Sequence, residues 1–211
     1  MFGYMAVIYW AIRGFGPEAQ AGFGVGTRVM QAIFLPAMAI AFATAPVAGQ
    51  NVGARKPERV RETFRTAVVA LSAIMAGLTL LCQVRPEMLI GFFTADAAVI
   101  AVGAEFLHVI SLNFVASGIV FTCSGMFQAM GNTLPSLAAS ATRIVTFAVP
   151  AVWLSTRPWF ELRHLWYASV CTVALQAAVA LWLVLREMRL RLAALDAPAG
   201  GALAAEAPAA P

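Results

Sequence analysis

The sequence predicts an all-α protein, a polytopic membrane helix bundle of about six transmembrane helices. Three observations predict it. Hydrophobic residues make up 61% of the chain and charged residues only 11%, against roughly 25% charged in a soluble domain. The apolar residues gather into stretches close to the roughly 20 residues a helix needs to cross a bilayer. The Lys and Arg residues sit mainly in the short segments between those stretches. A net charge of +4 fits basic residues collecting at one membrane edge and gives no reason to invoke nucleic acid.

The elements follow in order. Residues 1–12, MFGYMAVIYWAI, are apolar but too short to span, and read as the tail of a span that begins upstream. RGFGPEAQAG comes next, with Pro17 suited to the first turn of a helix. A helix is expected over 19–49, where 29–49 carry no charge, and another over 58–83, uncharged from 66 onward. The helix expected over 95–130 starts beside Thr94 and Asp96, either of which can cap an N-terminus. A helix over 134–155 is apolar apart from Arg143, and one over 163–189 contains the uncharged run 165–185. Pro86, Gly131 with Asn132 and Pro135, and Pro158 mark the loops between them. The bundle thus occupies 1–191. The Ala/Pro/Gly-rich residues 192–211 are expected to form a disordered tail.

Orientation follows from the basic residues. Arg55, Lys56, Arg59, Arg61 and Arg65 share a side with Arg186, Arg189 and Arg191; the other side holds Arg13, Arg85, Arg157 and Arg163. The positive-inside bias puts loop 50–65 and the C-terminus in the cytoplasm of a cell whose plasma (inner) membrane holds the protein. The basic turn ends the helix before it, and Gly49 and Gly53 are expected to allow the tight reversal.

Polar groups inside the spans are few. Ala37, Ala41 and Ala45, with Gly22, Gly24 and Gly26 upstream, predict a smooth stripe for helix packing. Pro36, Pro46 and Pro150 interrupt the hydrogen-bond ladder of their helices. Arg28 reads either as a snorkelling interfacial arginine or as a structural or functional one. Arg143 lies deeper, where a guanidinium wants carbonyls, water or a carboxylate, and no span here offers a central carboxylate. Gln31, Asn113, Gln128 and Gln176 either line a cavity or join helices. Glu105 and His108 form E-x-x-H, a spacing used in di-iron bundles. The chain lacks the other ligands such a site needs, which leaves an interfacial polar pair or a proton relay. Cys82, Cys123 and Cys171 are odd in number and far apart, so neither a disulfide framework nor a metal site is expected. No phosphate-binding loop, zinc signature or nucleophile elbow is present, so an enzyme is the least favoured reading and no organic cofactor is implied.

The stretch GFGVGTRVMQAIFLPAMAIAFATAPVAGQNVGARKPERVRE resembles the multidrug and toxic compound extrusion transporters. Arg28, Pro36, Gly49, Gln50, Asn51, Gly53 and Ala54 match that family's pattern, and Ala48 departs from it. FQAMGNTLPS is similar to a later turn of the family, through Gly131, Asn132, Thr133 and Pro135, the last one residue early; Ala129 stands where the family has its first glycine. The resemblance implies the C-terminal six-helix lobe of a twelve-helix antiporter. It implies export of cationic or amphipathic compounds against Na⁺ or H⁺, with the lipid bilayer and an absent N-terminal six-helix lobe as partners. It makes Arg28, Gln31, Asn113, Gln128 and Arg143 cavity candidates, and Glu105 and His108 weak coupling candidates. A flippase for lipid-linked oligosaccharides and a non-transporting half-protein are the alternatives.

Overall fold

The structure, a computed structural model, describes residues 8–10, 12–155 and 161–196. Among them there is no strand. Five helices are long and apolar enough to cross a membrane, matching the five complete spans expected. The chain is a multi-pass membrane protein. Of the partial first span, residues 8–10 and 12 are helical, and Ile8 and Ile12 are buried; residues 1–7 lie outside the described part.

Helix α1 (Pro17–Gly53) begins where Gly16, at φ +91°, turns the chain into Pro17. A glycine tolerates that left-handed φ, and proline loses nothing at a first turn whose N–H has no partner anyway. Contrary to the boundary at 49, the helix runs on through Gly53. Its backbone also continues through Pro36 and Pro46. One face is built from small residues, with Gly22, Gly26, Ala37, Ala41, Thr44 and Ala48 all buried. Ala45, expected in that stripe, is only half-buried. A four-residue repeat drifts about 40° per step around a helix of 3.6 residues per turn, so Thr44 and Ala48 replace it on the packed face.

Helices α2 (Pro57–Val84), α4 (Ala97–Ile110) and α5 (Phe114–Ala129) pack around α1. The contacts are closest where side chains are missing. A Cβ on Gly26 would stand 2.4 Å from the Phe106 ring, and one on Gly125 2.8 Å from the Ala41 carbonyl oxygen. Backbones approach this closely in membranes because association there depends on packing rather than on exclusion of water.

The helix expected over 95–130 forms one spanning stretch, Ala97–Ala129, with a 3-10 turn inside it. Asp96 caps α4, its Oδ1 accepting from the N–H groups of Ala98 at 2.9 Å and Val99 at 3.3 Å, and Ser111–Asn113 form a 3-10 turn before α5 begins. The loop expected around Pro86 contains a short helix, α3 (Pro86–Gly91). Helix α6 (Leu134–Ser155) leans chiefly on α7 (Leu162–Asp196), and α7 packs in turn on α5 and α4. Pro150 leaves the Thr146 carbonyl without its helical donor; the Thr172 hydroxyl of α7 reaches that oxygen at 3.4 Å. The tail expected from 192 starts later, since α7 is helical through Asp196; residues 197–211 lie outside the described part.

The core has two parts. Aromatic rings fill one: Phe23 stacks on Trp166 at 5.7 Å, and Phe106 meets Phe23 and Trp166 edge-on at 5.2 and 4.9 Å. Small and flexible side chains fill the other, among them Ala48, Val60, Met126, Ala139, Ala180 and Met188. Large apolar residues also face outward, Leu80 at 65% exposure and Trp182 at 61%. That is the surface expected when the surrounding medium is lipid.

Candidate functional site

The outward face of α1 carries polar groups among the apolar ones. Arg28, Gln31, Leu35 and Pro36 recur at helical spacing and all are exposed. The reason is sequential: Gly22, Gly26, Thr27, Ala37 and Ala41 commit the opposite face to α4 and α5, so Arg28 and Gln31 must point away. Arg28 lies about 16 Å, and Gln31 about 21 Å, along the helix from Pro17. Gln128, on α5, is exposed as well.

The other candidates lie elsewhere. Asn113, in the 3-10 turn, is 5% exposed, and its Oδ1 has no hydrogen-bond partner among the described residues. The same holds for Oε1 of Gln176, buried on α7. Two buried acceptors left open suit water or a donor from a bound molecule. Arg143, on α6, is half-buried. Of the five cavity candidates, Arg28, Gln31 and Gln128 are thus exposed, Asn113 is buried and Arg143 is half-buried. Arg28 and Gln31 share a single face of α1.

Glu105 has a partner that spacing did not reveal. Its Oε1 accepts from Arg163 Nε at 2.9 Å, joining α4 to the start of α7. His108, one turn further on, is exposed. Among the described residues no group of three or more His, Cys, Asp or Glu side chains could hold a metal ion, and the three cysteines are free.

Three further functional candidates were not read from the sequence. Thr79 Oγ1 lies between two carbonyls that share its one proton, Met75 of its own helix at 2.9 Å and Ser111 at 3.0 Å. Gln83 Nε2 donates to the His108 carbonyl at 2.7 Å and to Ser111 Oγ at 2.9 Å. These contacts tie α2 to the joint between α4 and α5. Hydroxyl and amide residues one turn apart in an apolar helix were the available signal.

The two turn motifs share one backbone device. After α5, the Asn132 N–H donates to the Phe127 carbonyl at 3.0 Å, the Gly131 N–H donates to Gln128 at 3.0 Å, and Gly131 has φ +70°. After α1, the Lys56 N–H donates to Asn51 at 2.9 Å, the Arg55 N–H donates to Val52 at 3.1 Å, and Arg55 has φ +51°. Both are Schellman closures, six-to-one and five-to-two. Gly49 and Gly53 are therefore not the hinge expected of them; both are helical, and the reversal falls on Arg55. Asn51 Nδ2 donates back to the Val47 carbonyl at 2.8 Å, and Gln50 is exposed. Thr133 supplies the carbonyl that accepts the Leu137 N–H at 3.1 Å, and Pro135 sits in the first turn of α6. Asn132 Nδ2 donates to Glu187 Oε1 at 3.0 Å, anchoring the turn to α7.

A bundle of apolar helices long enough to cross a bilayer defines a polytopic membrane protein. The MatE family model matches residues 1–154, nearly three quarters of the chain, and the chain belongs to that family. It is 28% identical over 164 residues to the probable multidrug resistance protein YpnP of Bacillus subtilis, covering 78% of this chain and 35% of that protein. It is 27% identical over 121 residues to the multidrug export protein MepA of Staphylococcus saprophyticus, covering 57% and 27%. Its fold superimposes with a TM-score of 0.81 and 22% identity on a multidrug resistance MATE family transporter of the MOP superfamily in an outward-facing conformation, covering 93% of this chain and 44% of that one. The chain thus spans well under half the length of the relatives it matches.

Proposed function

We propose that this chain supplies one lobe of a secondary active multidrug exporter. Facing a second six-helix lobe, it would move drugs or amphipathic organic compounds outward in exchange for Na⁺ or H⁺. The observation that carries the reading is the exposed pair Arg28 and Gln31 on α1. A guanidinium and an amide that far along a spanning helix need water or facing protein rather than hydrocarbon. Two lobes rocking about a shared central cavity supply both. Relatives that carry multidrug names, and that exceed this chain in length, support the same reading.

Coupling needs a group that binds an ion or proton with different strength in the two states of the cycle. Glu105 and His108 are this chain's candidates, and the ion pair with Arg163 makes Glu105 dependent on the α4–α7 distance. In this reading the 50–65 loop and the C-terminus face the cytoplasm. The protein lies in the plasma (inner) membrane.

Ethidium efflux from everted vesicles tests the proposal. Residues 1–211 alone are expected to be inactive. Joined to an N-terminal lobe they are expected to export dye in a gradient-dependent way, and Arg28→Ala and Gln31→Ala to reduce export severalfold. Strong efflux by the lone chain, or full efflux by both joined variants, would overturn the reading.

A further inference from the structure

Helices α3, α4 and α7 enclose an open cleft of about 540 Å³. Its walls carry Glu87 from α3, Glu105 and His108 from α4, and Arg163 and Tyr167 from α7, over an apolar floor that includes Ala104. We infer that this cleft binds the headgroup of a zwitterionic phospholipid, phosphatidylethanolamine, at the edge of the bilayer.

Position comes first. Glu87 follows α2 directly, and Arg163 opens α7, so the cleft lies at the membrane end opposite the 50–57 turn. Lipid headgroups reside at that level and are supplied by the bilayer at high local concentration, so even a weak site fills.

Charge comes second. The walls hold two carboxylates, one guanidinium and one histidine. Arg163 uses one of its five N–H donors on Glu105. A guanidinium fork suits a phosphate, which takes two of the remaining donors. Glu87, exposed on the opposite wall, offers a carboxylate to an ammonium. A purely anionic headgroup meets two carboxylates, and a purely cationic ligand meets Arg163. A zwitterion answers both. Ethanolamine fits better than choline because its ammonium can donate hydrogen bonds to a carboxylate, whereas a quaternary ammonium cannot. The aromatic ring of Tyr167, exposed beside the floor, is of the amphipathic kind that sits at headgroup level.

The inference concerns lipid binding and does not depend on export. Its test is native mass spectrometry of the full 211-residue chain, released from detergent micelles holding equal fractions of phosphatidylethanolamine, phosphatidylcholine and phosphatidylglycerol. Wild type is expected to retain phosphatidylethanolamine severalfold over both others. Glu87→Gln is expected to bring the ethanolamine-to-choline ratio close to one, and Arg163→Gln to lower retention of both zwitterionic lipids severalfold, each with helical content and elution volume unchanged. Arg163→Lys is expected to fall between, because a point charge replaces the fork. Equal retention of the ethanolamine and choline lipids by wild type overturns the inference, as does a preference for phosphatidylglycerol. So does unaltered retention of phosphatidylethanolamine by folded Arg163→Gln, or an unaltered ethanolamine-to-choline ratio in folded Glu87→Gln. The wild-type selectivity decides the matter by itself if a variant does not fold.

Discussion

Two turns close the same end of the bundle, and they put different residues at the position of positive φ. Asn132 reaches Glu187 near the C-terminal end of α7. Val60 and Phe64, just past the other turn, share a buried cluster with Met188 and Leu192. Each turn ends its helix with the same pair of hydrogen bonds and one residue of positive φ. Glycine holds that position in one turn and arginine in the other. The difference teaches that hydrogen bonding, not glycine content, fixes the reversal. Arg55 adopts a backbone that costs an L-residue about 1–2 kcal/mol, and the two closing bonds offset it. Its charge also lies at the negative end of the α1 dipole, where a cation is favoured.

The comparison can be broken most strongly at Gly131. Gly131→Val places a β-branched side chain at φ +70° and is expected to lower stability by about 2–3 kcal/mol. The midpoint of chemical unfolding in detergent reports this, and an unchanged midpoint would mean that the turn does not need glycine. Asn132→Ala comes next. It removes the bond to Glu187, whose side chain is 17% exposed and also accepts from Arg191 at 3.0 Å. The expected loss is about 1 kcal/mol, reduced by that second partner. A double-mutant cycle with Glu187→Gln should give a nonzero coupling energy; additivity would show that the contact contributes nothing. Smallest is Arg55→Gly. Relief of the left-handed strain outweighs the entropy of a new glycine and the lost charge, for a gain of about 0.5 kcal/mol. A lowered midpoint would show that the arginine side chain contributes more than its backbone costs.

The spans were legible because uncharged length alone identifies them, and two starts expected at 19 and 95 fall two residues away, at Pro17 and Ala97. The rest depended on distant partners. Ser111 and Asn113 are compatible with a helix, and the 3-10 turn they mark is held by Gln83, 28 positions away from Ser111. The Arg163 that pairs with Glu105 lies 58 positions away. PEMLIG is too short to show a period. Gly49 and Gly53 drew the hinge to themselves because glycine marks turns in general. Here the helix runs past both, and a Cβ on Gly53 would meet nothing within 4 Å. Among the site candidates, residue type marked Arg28 and Gln31 as unusual. Only the packing of the small face showed that they look outward together.

The arrangement of α6 has a consequence for biosynthesis. This helix carries Arg143, touches α5 lightly through the Ser124–Ser136 hydroxyl contact at 3.1 Å, and takes most of its packing from α7. Its Thr146 carbonyl meets the Thr172 hydroxyl of α7 at 3.4 Å, a proton shared with Ala168 at 2.8 Å. The ribosome makes α6 first, so when α6 emerges the helix that supports it has not been translated. A half-supported arginine helix is a poor candidate for release into lipid on its own. The two helices are therefore expected to enter the bilayer as a pair, which stalling synthesis between them and measuring whether α6 resists alkaline extraction would check.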